Sequence, residues 1–292
     1  MHVAAGSFHN QAFSSGDVTY EVTPGRLHIP QGVLRFETGM AEVQGSFGVP
    51  RPFGDSDDQI AVRLHLVPMG FIPQGAATLS TIILLNGQVT ARGTGSGQVH
   101  LGIDLQVPKT TRQAQQGGEA LIGVELPAFH VTSDVLTAPP WVHWQASAVR
   151  IQGDGVTAEL RDVVTRRTPT HYDLSGGVDL QAATEVITGL VAGLLPDRLQ
   201  VSVPLALAGK AAGRVAVDGS ASLRHLAYTG NLRLARMDWH GALWEAVAVH
   251  LTVEHGRLTI DEASAQTLGA GCGSDPRPSS ICRDHGVTFV CT

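Results

Sequence analysis

The feature that most constrains this chain is a strict two-residue alternation of apolar and polar side chains that recurs from end to end. Ile60-Ala-Val62-Arg-Leu64-His-Leu66 keeps its large apolar residues at even positions. Val99-His-Leu101-Gly-Ile103-Asp-Leu105-Gln-Val107 does the same over nine residues, and Leu199–Leu207 and Val249–Val253 continue the pattern. A period of two gives each strand one oily face and one wet face. Strands of a buried parallel sheet would instead read as continuous apolar runs, so the alternation predicts antiparallel sheet with one face open to water.

The turns agree. Gly-Arg-Leu-x-Ile occurs twice, at Gly25–Ile29 and Gly256–Ile260, and each time a turn glycine launches an alternating strand. Asn86-Gly87, Asp154-Gly155, Asp218-Gly219 and His255-Gly256 read as hairpin turns. The two best copies of the device lie far apart and no fixed period links them, so the pattern is a meander and not a solenoid of equal units. Glycine is abundant, at 34 of 292 residues, and only 16% of residues are charged, as expected for many short strands joined by tight turns. Pro52–Gln59 and the polar stretch Pro108–Ala120 read as loops. One helix is expected. In Asp179–Asp197 the apolar residues fall at 180, 183, 186, 187, 190, 191, 194 and 195, an amphipathic stripe ended by Pro196.

The search for chemistry returns little. The 13 histidines include no His-Glu-x-x-His, and His28, His65, His100 and His250 sit on the polar phase of strands, as solvated residues do. His171–Asp173 and Asp238–His240 are isolated clusters. Cys272, Cys282, His285 and Cys291 carry ligand types for zinc but lack a paired Cys-x2-Cys knuckle. The glycines of Gly93–Gly97 lead into a strand, so no helix N-terminus is there to hold a phosphate, and a hairpin is the better reading. No nucleophile elbow or Walker motif is present, and the acidic residues are scattered. The sequence therefore predicts no catalytic residues, no cofactor, no metal and no enzymatic activity. A net charge of −6 without a basic block argues against nucleic acid as a partner. No stretch has the roughly 20 apolar residues a membrane helix needs, Glu185–Pro196 being the nearest, and Met1–Phe13 lacks the pattern of an export signal.

What remains is surface physics. Strands with one apolar face must close into a barrel, stack as a sandwich, or leave a trough that needs an apolar occupant. From periodicity alone, the closed sandwich is favoured over the trough.

Resemblance shifts that balance. The segment Asp173–Gly271 resembles the C-terminal region of the AsmA-like and TamB-like envelope proteins of Gram-negative bacteria. It runs strand, helix, strand over Asp173–Gly213. Tyr228–Gly271 follows, with an alternating strand, Gly-x-Leu-x-Ile and a small-residue, glycine-rich ending. Gly16–Gly48 looks like the same phrase at an earlier point. The resemblance implies an elongated, twisted antiparallel sheet forming an open apolar groove, with one amphipathic helix near residues 180–195. It implies a periplasmic location, a tether to the inner membrane through an N-terminal anchor missing from this chain, and a role in phospholipid transport between the two membranes or in outer-membrane assembly. Phospholipid acyl chains would then be the bound partner, with outer-membrane proteins as further partners. Three regions follow: groove units over 1–172, the AsmA-like C-terminal type over 173–271, and an irregular, aberrant tail over 272–292.

On this reading the groove is lined by one phase of the alternating strands: Leu101, Ile103 and Leu105; Val201, Val203 and Leu205; Leu232 and Leu234; and Val249, Leu251, Val253, Leu258 and Ile260. Each buried CH2 contributes about 0.8 kcal/mol, so a chain of about 16 carbons gains on the order of 10 kcal/mol before entropic costs. Two other classes compete. One is a structural or adhesive cell-surface β-sandwich with a closed core. The other is a carbohydrate-active β protein, for which four tryptophans and three tyrosines offer few platforms.

Overall fold

The structure, a computed structural model, describes residues 2–8, 11–71, 81–116, 119–126, 128–183, 199–216, 225–239, 242–255, 257–267 and 287–290. The strands are β1 (His2–Phe8), β2 (Gln11–Thr23), β3 (Arg26–Phe36), β4 (Met40–Gly48), β5 (Gln59–Phe71), β6 (Thr81–Gly93) and β7 (Val99–Val107). They continue with β8 (Thr110–Gln116), β9 (Glu119–Leu126), β10 (Phe129–Thr137), β11 (His143–Gly153), β12 (Val156–Arg167) and β13 (His171–Ala182). The last five are β14 (Leu199–Ala216), β15 (Ala227–Trp239), β16 (Ala242–Glu254), β17 (Arg257–Thr267) and β18 (Val287–Val290).

Sixteen of these form a single antiparallel sheet whose spatial order is the chain order, with β10 following β7. β8 and β9 form a separate two-stranded ladder inserted between them. The sheet does not close, because β1 and β18 are its two ends and do not pair. It passes residue 172 unbroken: β13 bonds to β12 on one side and β14 on the other. Among the described residues the closest backbone approach between strands that are not hydrogen-bonded neighbours is that of β2 and β5, which come within 8 Å of each other across two intervening strands. On a flat sheet three strand spacings would hold them about 14 Å apart, so the sheet curls there.

Bulges supply bends elsewhere. The register slips between Leu64 and Val67, between Arg161 and Val164, and between Glu245 and Ala248. Leu66, Asp162 and Ala246, which sit inside those slips, have positive φ of 51°, 50° and 49°. An extra residue of this kind bends the strand and raises its local twist.

Four expectations are corrected. Asn86-Gly87 is not a turn but lies inside β6, where the Asn86 side chain accepts a hydrogen bond from the bulged Leu66 N–H at 2.8 Å. Gly87 is required there because a Cβ would meet the Asp104 carbonyl at 2.1 Å. The predicted helix near 180–195 does not begin at residue 180: Leu180 and Ala182 finish β13, paired with Leu207 and Leu205, and the two-sided ladder overrides helical spacing. The rest of that stretch from residue 184 lies outside the described residues. Pro108–Ala120 is not all loop, because Thr110–Gln116 pairs with the apolar strand that follows it. Finally, Val201, Val203 and Leu205 do not form one uninterrupted phase. A residue is inserted between Ser202 and Leu205, so Val201 aligns with Met237 and Leu205 with Leu234. The turns at Pro24-Gly25 and Asp154-Gly155 do close two-residue hairpins, Glu254 pairs with Arg257 on either side of the third expected turn, and Gly93–Gly97 joins β6 to β7. Asp218-Gly219 lies outside the described residues.

Candidate functional site: an uncovered apolar face

Following the register from strand to strand shows what the alternation builds. One transverse row begins with Val18, Gly32, Val43, Val62, Val89 and Ile103. It continues through Ser133, Val149, Leu160 and Val178, then Gly209, Gly230, Leu251 and Ile260. The row crosses fourteen strands, β2–β7 and β10–β17, without one charged side chain. Two residues along each strand, a second row runs Leu34, Ala41, Leu64, Gly87, Leu105 and Val131, then Ile151, Ala158, Leu180, Leu207, Leu232 and Val249. At about 4.8 Å per strand the face extends roughly 60 Å.

The intervening positions form the opposite face, and they are polar. Glu42, Arg63, Gln88, Asp104, Thr132, Arg150, Glu159 and Asp179 are successive partners on it. Ion pairs link neighbours there: Arg161 donates to Glu159 at 2.8 Å and reaches Asp179 at 3.3 Å, while His130 meets Asp104 at 2.6 Å. The Arg161 bond holds the Glu159 carboxyl below the usual range against the opposing push of burial, with Arg150 adding to it. These groups are solvent-facing, so they mark the wet side without stabilising it much.

The sequence-predicted groove residues distribute as follows. Leu101, Ile103 and Leu105 share the apolar face, half-buried, opposite Val135, Ser133 and Val131 of β10. Leu205, Leu232, Leu234, Val249, Leu251, Val253, Leu258 and Ile260 are brought together in one cluster with Tyr228, Val247 and Ala182. The side chains of Val201 and Val203 lie outside the described residues. Coverage differs along the face. Val247 is 2% exposed and Leu251 8%, whereas Val62, Val89, Ile103, Val149 and Leu160 are half-buried. Apart from the large sheet, the described residues form only the two-stranded β8–β9 ladder.

At one end of the middle strands the face runs into a recess of about 320 Å3 lined by Phe47, Val49, Pro50, Phe53, Ile60, Ala91 and Trp141. Its rim is the β4–β5 loop, held by a group that alternation could not reveal. The Asp58 carboxylate is 0% exposed and accepts the N–H groups of Gly48 (2.9 Å), Gly54 (3.0 Å) and Asp55 (3.1 Å). Burial pushes its pKa up, but those three bonds and the charge of Arg51 outweigh it and leave the group below its ordinary value. Arg26 ties the same loop to β3 and β4 by binding Asp57 and donating to Ser46 Oγ at 2.7 Å.

Among the described residues, no three histidine, cysteine or carboxylate side chains are grouped to hold a metal, and no helix is long and apolar enough to cross a membrane. The cysteine-bearing set at 272–291 lies outside those residues. No family model, curated protein or solved structure matches this chain.

Proposed function

We propose that this chain is a non-enzymatic lipid-binding protein whose apolar face holds or conducts phospholipid acyl chains. The observation that carries the reading is the pair of charge-free rows, one crossing fourteen strands and the other twelve, on one unclosed layer. An apolar surface of that extent is costly to leave in water and is ordinarily matched by an apolar partner. Acyl chains fit because the rows present methyl and methylene groups without polar groups placed to select a head group. The similarity of Asp173–Gly271 to AsmA-like proteins favours the Gram-negative envelope as the place. There the face would serve phospholipid transport between inner and outer membranes, or outer-membrane assembly, from a periplasmic position tethered to the inner membrane. A closed sandwich would need a second sheet over the rows, and the described residues contain only the small β8–β9 ladder apart from the large sheet.

The test is native mass spectrometry of the chain purified in mild detergent, comparing wild type with Ile103→Asp and Leu160→Asp. Both sites are half-buried, so both variants are expected to keep a β circular-dichroism spectrum while losing the co-purifying phospholipid. Wild type that is lipid-free and refuses added phospholipid sinks the reading.

A further inference from the structure

Over the middle strands the apolar face ends against walls. Two residues along from the central row, Gly45, Ile60, Ala91, Leu101, Val135 and Ala146 are successive register partners. They form a third row without charge. Ile60 and Ala91 of that row also line the recess of about 320 Å3. The recess therefore continues the face, with the same strands as its floor.

Its walls come from opposite sides. Phe47 of β4 and Phe53 of the β4–β5 loop form one, their ring centroids 6.2 Å apart. Trp141, in the β10–β11 loop, forms the other. β4 and β10 stand four positions apart in the sheet, about 19 Å if it were flat, so walls that share one small recess must converge over its floor. Both are fixed from behind. The loop bearing Phe53 accepts the Gly93 N–H on Asp58 O at 2.9 Å and the Gly95 N–H on Gly54 O at 3.0 Å. Trp141 has a φ of 66°, in the left-handed region that bulky residues rarely enter. Its own N–H bonds Ala138 O at 2.7 Å, and Trp144 Nε1 donates to its carbonyl at 2.9 Å. Backbone strain of this kind persists only where the surroundings impose it, and it gathers at ligand sites. Phe47, Phe53, Ile60, Ala91 and Trp141 are all half-buried, so each keeps surface that a ligand can cover.

The lining sets the chemistry of that ligand. Apart from Arg51 and the indole N–H of Trp141, its side chains offer only hydrocarbon and aromatic carbon. The rim loop carries three carboxylates, Asp55, Asp57 and Asp58, and the adjacent arginines are already engaged by them, Arg51 with Asp55 and Arg26 with Asp57. An anionic head group is therefore poorly served here, whereas a hydrocarbon end needs no polar partner. The volume lies at the low end of the roughly 300–1,000 Å3 of small-molecule pockets, which suits the end of one chain and not a whole phospholipid.

We infer that this recess receives the methyl end of one acyl chain, so that a phospholipid on the apolar face points its head away from the β4–β5 and β10–β11 loops. The inference rests on the lipid-binding reading above and adds to it which end of the ligand goes where. Phe47, Phe53 and Trp141 clasp the chain end, and the rows beyond Ala91 and Leu101 receive the rest of the chain.

The experiment loads the delipidated full chain with either of two phosphatidylcholines of equal chain length and removes free lipid by gel filtration. One probe carries bromine, a contact quencher of tryptophan, near the ester end of its acyl chains, and the other carries it at the chain terminus. The chain-end probe is expected to quench the part of the fluorescence that Trp141→Phe lacks, and the ester-end probe to leave that part intact. Equal quenching of that part by both probes, stronger quenching by the ester-end probe, or no quenching of it while lipid is bound overturns the inference and leaves the lipid-binding reading standing. If wild type retains neither probe, that reading itself fails. Filling the recess gives an independent measure. Ala91→Leu should melt no lower than wild type and bind phosphatidylcholine about tenfold more weakly, the worth of roughly two excluded methylene groups. Unchanged affinity in folded Ala91→Leu would likewise overturn the inference.

Discussion

Ile103 and Leu251 occupy the same transverse row of the same sheet, with six strands between them, yet one is half-buried and the other 8% exposed. The contrast extends to their neighbourhoods. Around β2–β7 the central row is built from Val18, Gly32, Val43, Val62 and Val89, with Leu34, Ala41, Leu64, Gly87 and Leu105 beside it. Around β13–β17 the adjoining positions carry Leu180, Leu207 and Leu232, with Tyr228 folded across Gly209 and Gly230. Alternation decides which way a side chain points; its size and that of its neighbours decide whether water still reaches it.

The largest effect that would break this comparison is a charge placed in each region. Leu251→Asp should cost about 3–5 kcal/mol in urea unfolding, because the carboxylate is driven into a dry cluster. Ile103→Asp should cost no more than about 1–2 kcal/mol and leave a folded chain that no longer takes up phospholipid. Equal losses would mean that both regions are closed cores. Glycine gives the next test. A Cβ at Gly230 meets the Ala208 carbonyl at 2.3 Å, so Gly230→Ala should cost about 1–3 kcal/mol by overpacking. At Gly32, in the same row, the nearest atom would be Val18 Cγ2 at 3.5 Å, an ordinary contact. Gly32→Ala should leave the unfolding midpoint nearly unmoved.

Acid should separate the regions more gently. The folded pKa of Asp58 is depressed below the ordinary 3.8, so its contribution is complete above that pH and is lost as pH falls through the folded value. Hydrogen exchange from β4–β6 is expected to quicken as the pH falls below 3.8, before exchange from β15–β16 does, and Asp58→Asn should remove that difference. Opening in the reverse order would show that the loop anchor does not govern the middle strands. The smallest expected effect is on the wet face. Arg161→Ala breaks exposed pairs with Glu159 and Asp179, and the melting temperature should stay that of wild type.

Much of the sheet was legible beforehand because its signal is local. Val99–Val107 alternates in sequence and alternates in burial, and the two Gly-Arg-Leu-x-Ile segments do open β3 and β17. What could not be read depends on partners far along the chain. Asn86-Gly87 has turn chemistry, but its role is set by a bulge at Leu66 some twenty residues earlier. Leu180 and Ala182 fit a helical stripe equally well until β12 and β14 claim them on both sides. The insertion between Ser202 and Leu205 has no signature in "VSVPL" beyond a proline, and Asp58 looks like any loop carboxylate until its three N–H donors are seen. Tyr228 left a fainter trace: a tyrosine two residues before a glycine, on a strand whose partner carries another glycine at the matching place.

The strand order, which never departs from chain order around the inserted β8–β9 ladder, has a consequence for how such a molecule can change size. Every hairpin contacts little beyond the hairpins on either side, so one can be deleted or duplicated without rewiring the rest, as in a linear array of coupled units. Each gain or loss would lengthen or shorten the greasy track by about 10 Å, two strand widths, and leave its chemistry the same. Distance spanned is thus a quantity that selection can adjust in whole steps.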